Sequence, residues 1–306
     1  MKRPSLFSAI ASAALLIACP TLNSSENPSM QETNEDKSYR AFLDLEYVPN
    51  AHPQQRLDIF LPAEGEGPWP LVIWIHGGGW KMGSKSQCVP YHMKYFEKGF
   101  AVASLDYRLT DVATFPAQIQ DVKAAVRWLR SSSSEYGFDP NKFGVWGDSA
   151  GGHLSALLGT SHGYQPFEVG ENLEISSAVQ AVCDYYGPTE FVSFVQTPGY
   201  KEHADEESAE TALLGARVLD RPDLAATASP LAYLSPDDPP FLIVHGDQDP
   251  VVPLNQSEQL RDKLKEAGVP VKYFVLEGAA HGGPEFRDEA LKDTVLQFFK
   301  DTLSDN

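Results

Sequence analysis

The sequence predicts an α/β protein, with a mostly parallel central sheet, helices on both faces and an antiparallel hairpin at its start. Two observations carry the prediction. Strand-like runs alternate with helical runs along most of the chain, the pattern of a sheet built from crossover units. Several of the runs, such as Leu71-Val72-Ile73-Trp74-Ile75 and Phe241-Leu242-Ile243-Val244, are apolar without a break. A strand covered on both faces by helices must be.

The first 19 residues read as a targeting segment. Met1-Lys2-Arg3 is basic, and an Ala-rich apolar stretch follows that is too short to span a bilayer comfortably. It ends in Leu16-Ile17-Ala18-Cys19, which resembles the lipobox of bacterial lipoproteins, where cleavage precedes a lipidated cysteine. Pro20 departs from that pattern, so ordinary cleavage near Ala18 stands as a second reading. Either way the mature chain is exported, as an anchored or a released protein. Residues 20–38 are Ser/Asn/Glu/Thr-rich with almost no apolar side chains. Such a stretch buries too little to order itself and reads as a tether.

One domain is expected over residues 39–306. Residues 42–48 and 55–61 alternate apolar and polar around His52-Pro53, giving the antiparallel hairpin. Strands are expected at 70–76 and 100–105, both buried, and at 143–146, 179–184, 241–245 and 271–276. Helices are expected at 89–98, 116–136, from Leu154 onward, at 255–267 and at 284–303. Residues 189–234 break the alternation, carry the acidic run Glu202-His203-Ala204-Asp205-Glu206-Glu207, and read as a small helical insertion over the site.

Acidic residues number 42 against 24 basic, a net charge of −18. With no cluster of Lys and Arg, a nucleic-acid partner is excluded. Of the three cysteines, Cys88 and Cys183 remain if Cys19 carries lipid. They either pair, as an oxidising compartment allows, or stay as buried thiols. No spaced His/Cys/carboxylate cluster suggests a metal, and no cofactor is called for. Oligomeric state is not legible.

The chemistry gathers where strands end, which is where ligands bind in an open parallel sheet. Gly147-x-Ser149-x-Gly151 lies between an apolar strand and an apolar helix, the setting of a nucleophile elbow. The following helix aims its first amides at the same place, favouring negative charge. After residue 245 comes Gly246-Asp247-Gln248-Asp249, with two candidate acids. Asp247 sits in the turn and caps amides; Asp249 stands further out, within reach of an imidazole, and is the preferred acid. After residue 276 comes Glu277-Gly278-Ala279-Ala280-His281. Of eight histidines only His281 has this address, in the order Ser, Asp, His. His76 and His153 read as scaffold, His245 as a partner within the acid loop, and His52, His92, His162 and His203 as surface. Ala150, directly after the serine, and Gly78 and Gly79, after the strand ending at His76, are the expected oxyanion donors. Asp148 reads as ordering nearby loops, and Asp106 with Arg108 as a structural pair.

His76-Gly77-Gly78-Gly79-Trp80 together with Gly147-Asp148-Ser149-Ala150-Gly151-Gly152 resembles the α/β-hydrolase superfamily, in its hormone-sensitive-lipase-like branch. The run from Trp74 to Trp80, the Asp106-Tyr107-Arg108-Leu109 turn and the Asp184-Tyr185-Tyr186-Gly187-Pro188 turn resemble the bacterial BD-FAE-like group more closely. The likeness covers roughly residues 57–303. It implies a carboxylic-ester hydrolase with Ser149, His281 and Asp249 as its triad, and short-acyl or hydroxycinnamoyl esters of carbohydrates as substrates. The large N-terminal cap of many lipase-like relatives has no counterpart. A serine peptidase of the prolyl-oligopeptidase type and a non-catalytic surface-binding lipoprotein on the same fold are the alternatives.

Overall fold

The computed structural model describes residues 39–88 and 99–304. The leader, the tether and the helix expected at 89–98 lie outside the described residues. Eight strands form one sheet: β1 (Tyr39–Glu46), β2 (Arg56–Pro62), β3 (Trp69–Ile75), β4 (Ala101–Leu105), β5 (Phe138–Asp148), β6 (Ala181–Tyr185), β7 (Phe241–Gly246) and β8 (Val271–Leu276). Their spatial order is β1-β2-β4-β3-β5-β6-β7-β8. β1 with β2 and β2 with β4 run antiparallel, and the remaining pairs are parallel. This is the α/β-hydrolase fold.

Alternation along the strands deals side chains to two apolar layers. Leu71, Ile73, Ile75 and Val145 join one layer, while Val72, Trp74 and Trp146 join the other. The first is covered by α1 (Ala117–Ser131) and α3 (Ala150–Thr160), through Ile119, Val122, Leu154 and Leu157. The second is covered by α8 (Glu289–Leu303), through Val295, Phe298 and Phe299. Gly144 lets α8 come close, since a Cβ there would sit 2.6 Å from the Phe299 ring.

Strand ends shift by a few residues, and three elements depart from the sequence expectation in more than that. β2 is buried on both faces rather than half exposed, because Leu57, Ile59 and Leu61 enter one apolar layer and Phe60 the other. The helix expected over 116–136 stops at Ser131 and resumes as a single turn, α2 (Ser133–Tyr136), closed by left-handed Gly137. The last helix starts at Glu289 because the Asp288 side chain accepts from the Ala290 and Leu291 N–H groups. Asp106 and Arg108 do not pair. Arg108 grips Asp121 with two N–H groups, at 2.8 and 2.7 Å, and Asp106 accepts the Lys85 N–H at 2.7 Å.

Between β6 and β7 lie α4 (Phe191–Gln196), α5 (Ala209–Leu214) and α6 (Pro222–Ala228), with short 3₁₀ turns among them. Each is too short to hold itself together and leans on caps and tertiary contacts. The Glu190 side chain caps α4 and Ser208 caps α5. The segment is moored to α7 (Asn255–Ala267), where Gln256 takes the Thr189 and Glu190 N–H groups at 3.0 and 2.8 Å. Among the described residues no helix is long and apolar enough to cross a membrane.

Candidate active site

Register brings the chemistry together. Ile75 lies opposite Gly147, Asp148 opposite Tyr185, and Gly246 opposite Leu276. The loops after β3, β5, β6, β7 and β8 therefore open side by side at one end of the sheet.

Ser149 stands at the sharpest turn, with φ 52° and ψ −118°, a conformation non-glycine residues seldom adopt. Its neighbours explain how that is held. A Cβ on Gly147 would meet the Gly151 carbonyl oxygen at 2.3 Å, and one on Gly151 would meet the Ile75 carbonyl oxygen at 2.0 Å. Both glycines let the first turn of α3 press against β3. The Ser149 N–H donates to the Tyr185 carbonyl at 2.8 Å, fixing the turn from the other side.

His281 reaches this serine from the loop after β8. Its Nε2 lies 2.9 Å from Ser149 Oγ and its Nδ1 2.6 Å from Asp249 Oδ2. A carboxylate only accepts, so Nδ1 carries the proton and Nε2 is left to accept from the hydroxyl. The ring is also held by the edge of Tyr186, with centroids 4.6 Å apart.

Asp249 is buried, and its oxygens are fully engaged. Oδ1 accepts the Val251 and Val252 N–H groups at 2.8 and 2.9 Å, and Oδ2 faces both His281 and, at 3.2 Å, His245 Nε2. Burial opposes its charge, yet the hydrogen bonds from His245 and His281 hold the carboxyl well below the usual range. His245 is fully buried, with Nε2 also 2.9 Å from the Val252 carbonyl and Nδ1 2.7 Å from Ser257 Oγ. Both partners of Nε2 are acceptors, so Nε2 bears hydrogen and the Ser257 hydroxyl donates to Nδ1. Asp247 does the turn work: its Oδ1 accepts the Gly278 N–H at 2.7 Å, tying the acid loop to the histidine loop.

Gly78 and Gly79 both take positive φ, 112° and 59°, which glycine tolerates best. At Gly78 even a Cβ is excluded, since it would lie 2.2 Å from the Met82 carbonyl oxygen. Asp148 anchors the stretch by accepting the Gly77 N–H at 2.9 Å. Among the described residues no acceptor takes the Gly78 or Gly79 N–H. That of Ala150, at the first position of α3, is an orphan donor by geometry. All three residues line the same cavity as Ser149 and His281.

The cavity measures about 670 Å³. One side is aromatic: Trp74, Trp146, Tyr185 and Phe286 follow one another edge to face or tilted, with successive centroids 5.3, 5.3 and 5.6 Å apart. The other side is supplied by Trp80 and by His203, Ala209 and Glu210 of the insertion. His203 thus departs from its expected surface place, because the insertion folds it inward against Phe194. His76 and His153 are scaffold. Burial holds each ring's pKa down to about 4, so both are neutral. His153 accepts from Trp80 Nε1 at 3.2 Å, and its Nε2 donates to the Ala228 carbonyl at 2.7 Å. Cys88 and Cys183 are both buried, and no disulfide joins them. Cys19 lies outside the described residues.

Fold and site geometry define a member of the α/β-hydrolases. The chain belongs to the BD-FAE family, whose model matches residues 57–264. It is 34% identical over 217 residues to Esterase LipQ of Mycobacterium tuberculosis, covering 69% of this chain and 50% of LipQ. Esterase LipC of the same organism is 32% identical over 237 residues, covering 75% of this chain and 57% of LipC. The chain thus spans little more than half the length of these relatives. Among solved structures it is similar to a truncated carbohydrate esterase from gut microbiota, with TM-score 0.83 and 32% identity over 89% of this chain and 99% of that one. It also resembles a bifunctional GH43-CE protein of Bacteroides eggerthii, with TM-score 0.78 and 31% identity over 85% of this chain and 38% of that one.

Proposed function

We propose that the chain is an exported serine carboxylic-ester hydrolase acting on short-acyl or hydroxycinnamoyl esters of carbohydrates. The observation that carries this is the hydrogen-bonded series Ser149–His281–Asp249 at a strained turn, beside three N–H groups that line the same cavity. In this reading Ser149 Oγ attacks the acyl carbon while His281 Nε2 takes its proton. The Gly78, Gly79 and Ala150 N–H groups receive the charge that builds on the carbonyl oxygen, each worth about 10²–10³ in rate. His281 returns the proton to the departing alcohol, leaving an acyl-enzyme. Water, activated by the same imidazole, then releases the acid and restores the serine. The likeness to two carbohydrate-esterase structures supports a sugar ester, as does a cavity wall bearing His203 and Glu210. Such a wall suits a polar alcohol and repels a long acyl chain, which has no hydrogen bond to offer it. The basic, apolar leader supports export, and Cys19 is the site where lipid would hold the chain to a membrane.

The test is hydrolysis of p-nitrophenyl acetate, p-nitrophenyl butyrate, a feruloyl ester and an aminoacyl-anilide by the purified protein. Turnover of the esters and none of the anilide is expected. Cleavage of the anilide alone would make the chain a peptidase, and a folded protein inert to all four would favour a binding role. On the same assay His245→Phe, which removes a donor from Asp249, is expected to lower kcat roughly tenfold or more at steady KM, since a hydrogen bond to a charged group contributes about 1.5–3 kcal/mol. His245→Gln, which keeps an N–H near that position, should recover most of it. Equal losses in both variants would mean that His245 only fills space.

A further inference from the structure

The insertion carries a pair of polar groups that the proposed reaction does not use. Glu210 is 3% exposed, yet it lines the cavity together with His203. The two are joined by one hydrogen bond, His203 Nδ1 to Glu210 Oε2 at 3.1 Å. Glu210 Oε1 and His203 Nε2 have no hydrogen-bond partner among the described residues. Polar atoms of a cavity wall that no protein group takes normally meet water or a ligand. The imidazole is not adjustable packing: its ring lies tilted by 35° against the Phe194 ring, centroids 4.6 Å apart, and this restrains the direction of its free edge. The carboxylate beside it holds a proton on the ring more firmly than usual, against the opposing effect of burial. The pair therefore offers the cavity two hydrogen-bonding atoms side by side: Glu210 Oε1, an acceptor, and His203 Nε2, an acceptor on the neutral ring and a donor on the protonated one.

A single hydroxyl both accepts and donates, so two neighbouring hydroxyls match such a pair of atoms at once in either state of the ring. Acetyl and hydroxycinnamoyl groups carry no such aliphatic pair; a sugar ring does. We infer that His203 and Glu210 form the subsite that reads two neighbouring hydroxyls on the alcohol half of the ester, and so select carbohydrate over simple alcohols. Few polar groups in an otherwise aromatic cavity are the usual means of fixing a ligand's orientation. The inference rests on the esterase reading above.

The experiment compares a monoacetylated methyl pyranoside, which keeps neighbouring free hydroxyls, with cyclohexyl acetate, which has a six-membered ring and none. Wild type should prefer the sugar ester by at least about tenfold in kcat/KM, because a site built to hydrogen-bond a hydroxyl rejects an analogue lacking it. Glu210→Gln and His203→Phe should each shrink that preference to within about threefold, mainly through KM on the sugar ester. Both esters are measured on one preparation, so the folded fraction cancels in the ratio. A wild type without preference, or a preference surviving in both variants, overturns the subsite while leaving the esterase standing. Turnover of neither ester by folded wild type removes the esterase reading itself.

Discussion

Ser149→Ala is expected to lower kcat on p-nitrophenyl acetate by at least about four orders of magnitude while leaving the protein folded. Loss of the nucleophile from a serine triad costs about 10⁶ in kcat where it has been measured, and the oxyanion donors retain a residue of activity. The fold should tolerate the change. Ser149 makes no side-chain cap, and its strained φ of 52° is held by its backbone bonds and the glycines around it, none of which the substitution touches. An unchanged melting temperature with activity gone is the expected pair of results. Substantial residual turnover would place the nucleophile elsewhere.

Asp249→Asn is expected to cost about 10⁴ in kcat at neutral pH, for a different reason. The amide can still accept from the Val251 and Val252 N–H groups through its oxygen, so the loop keeps its shape. Its NH₂ then faces His281 Nδ1, where a carboxylate oxygen now sits at 2.6 Å. That nitrogen must become the acceptor, and the proton moves to Nε2, the atom meant to take hydrogen from Ser149. A base in the wrong tautomer cannot act. The NH₂ also opposes the His245 N–H, so a stability loss of about 1–3 kcal/mol should accompany the kinetic one. Steady-state kinetics with a thermal melt checks both, and activity within tenfold of wild type would deny Asp249 its role.

Much of this site was legible because glycine, serine and acid–histidine spacing sit at strand ends, and strand ends are easy to see in runs as apolar as residues 71–75. The parallel core and its order of elements follow from the same runs. The partners of charged residues were not legible. Arg108 lies two residues from Asp106, yet binds Asp121 on α1, a choice set by how the helix docks rather than by neighbourhood. The role of His245 was half visible: its place before Gly246-Asp247 pointed to the acid loop, but only the bend of that loop brings its Nε2 to Asp249. His203 and Glu210 were hidden altogether. His203 sits in an acidic run and Glu210 just beyond it, where surface is the natural reading, and only the folding of the insertion's short helices over the cavity turns them inward.

The most direct measurement of Ser149 as nucleophile is covalent labelling with an alkyl fluorophosphonate, followed by intact-mass and peptide mass spectrometry. Attack by an activated serine oxygen on phosphorus expels fluoride and leaves one phosphonyl group on the chain. One label per chain, on the peptide that carries Ser149, is expected, with ester hydrolysis lost in step and no label taken up by Ser149→Ala. A label on another residue, or none on a folded protein that hydrolyses esters, would contradict it.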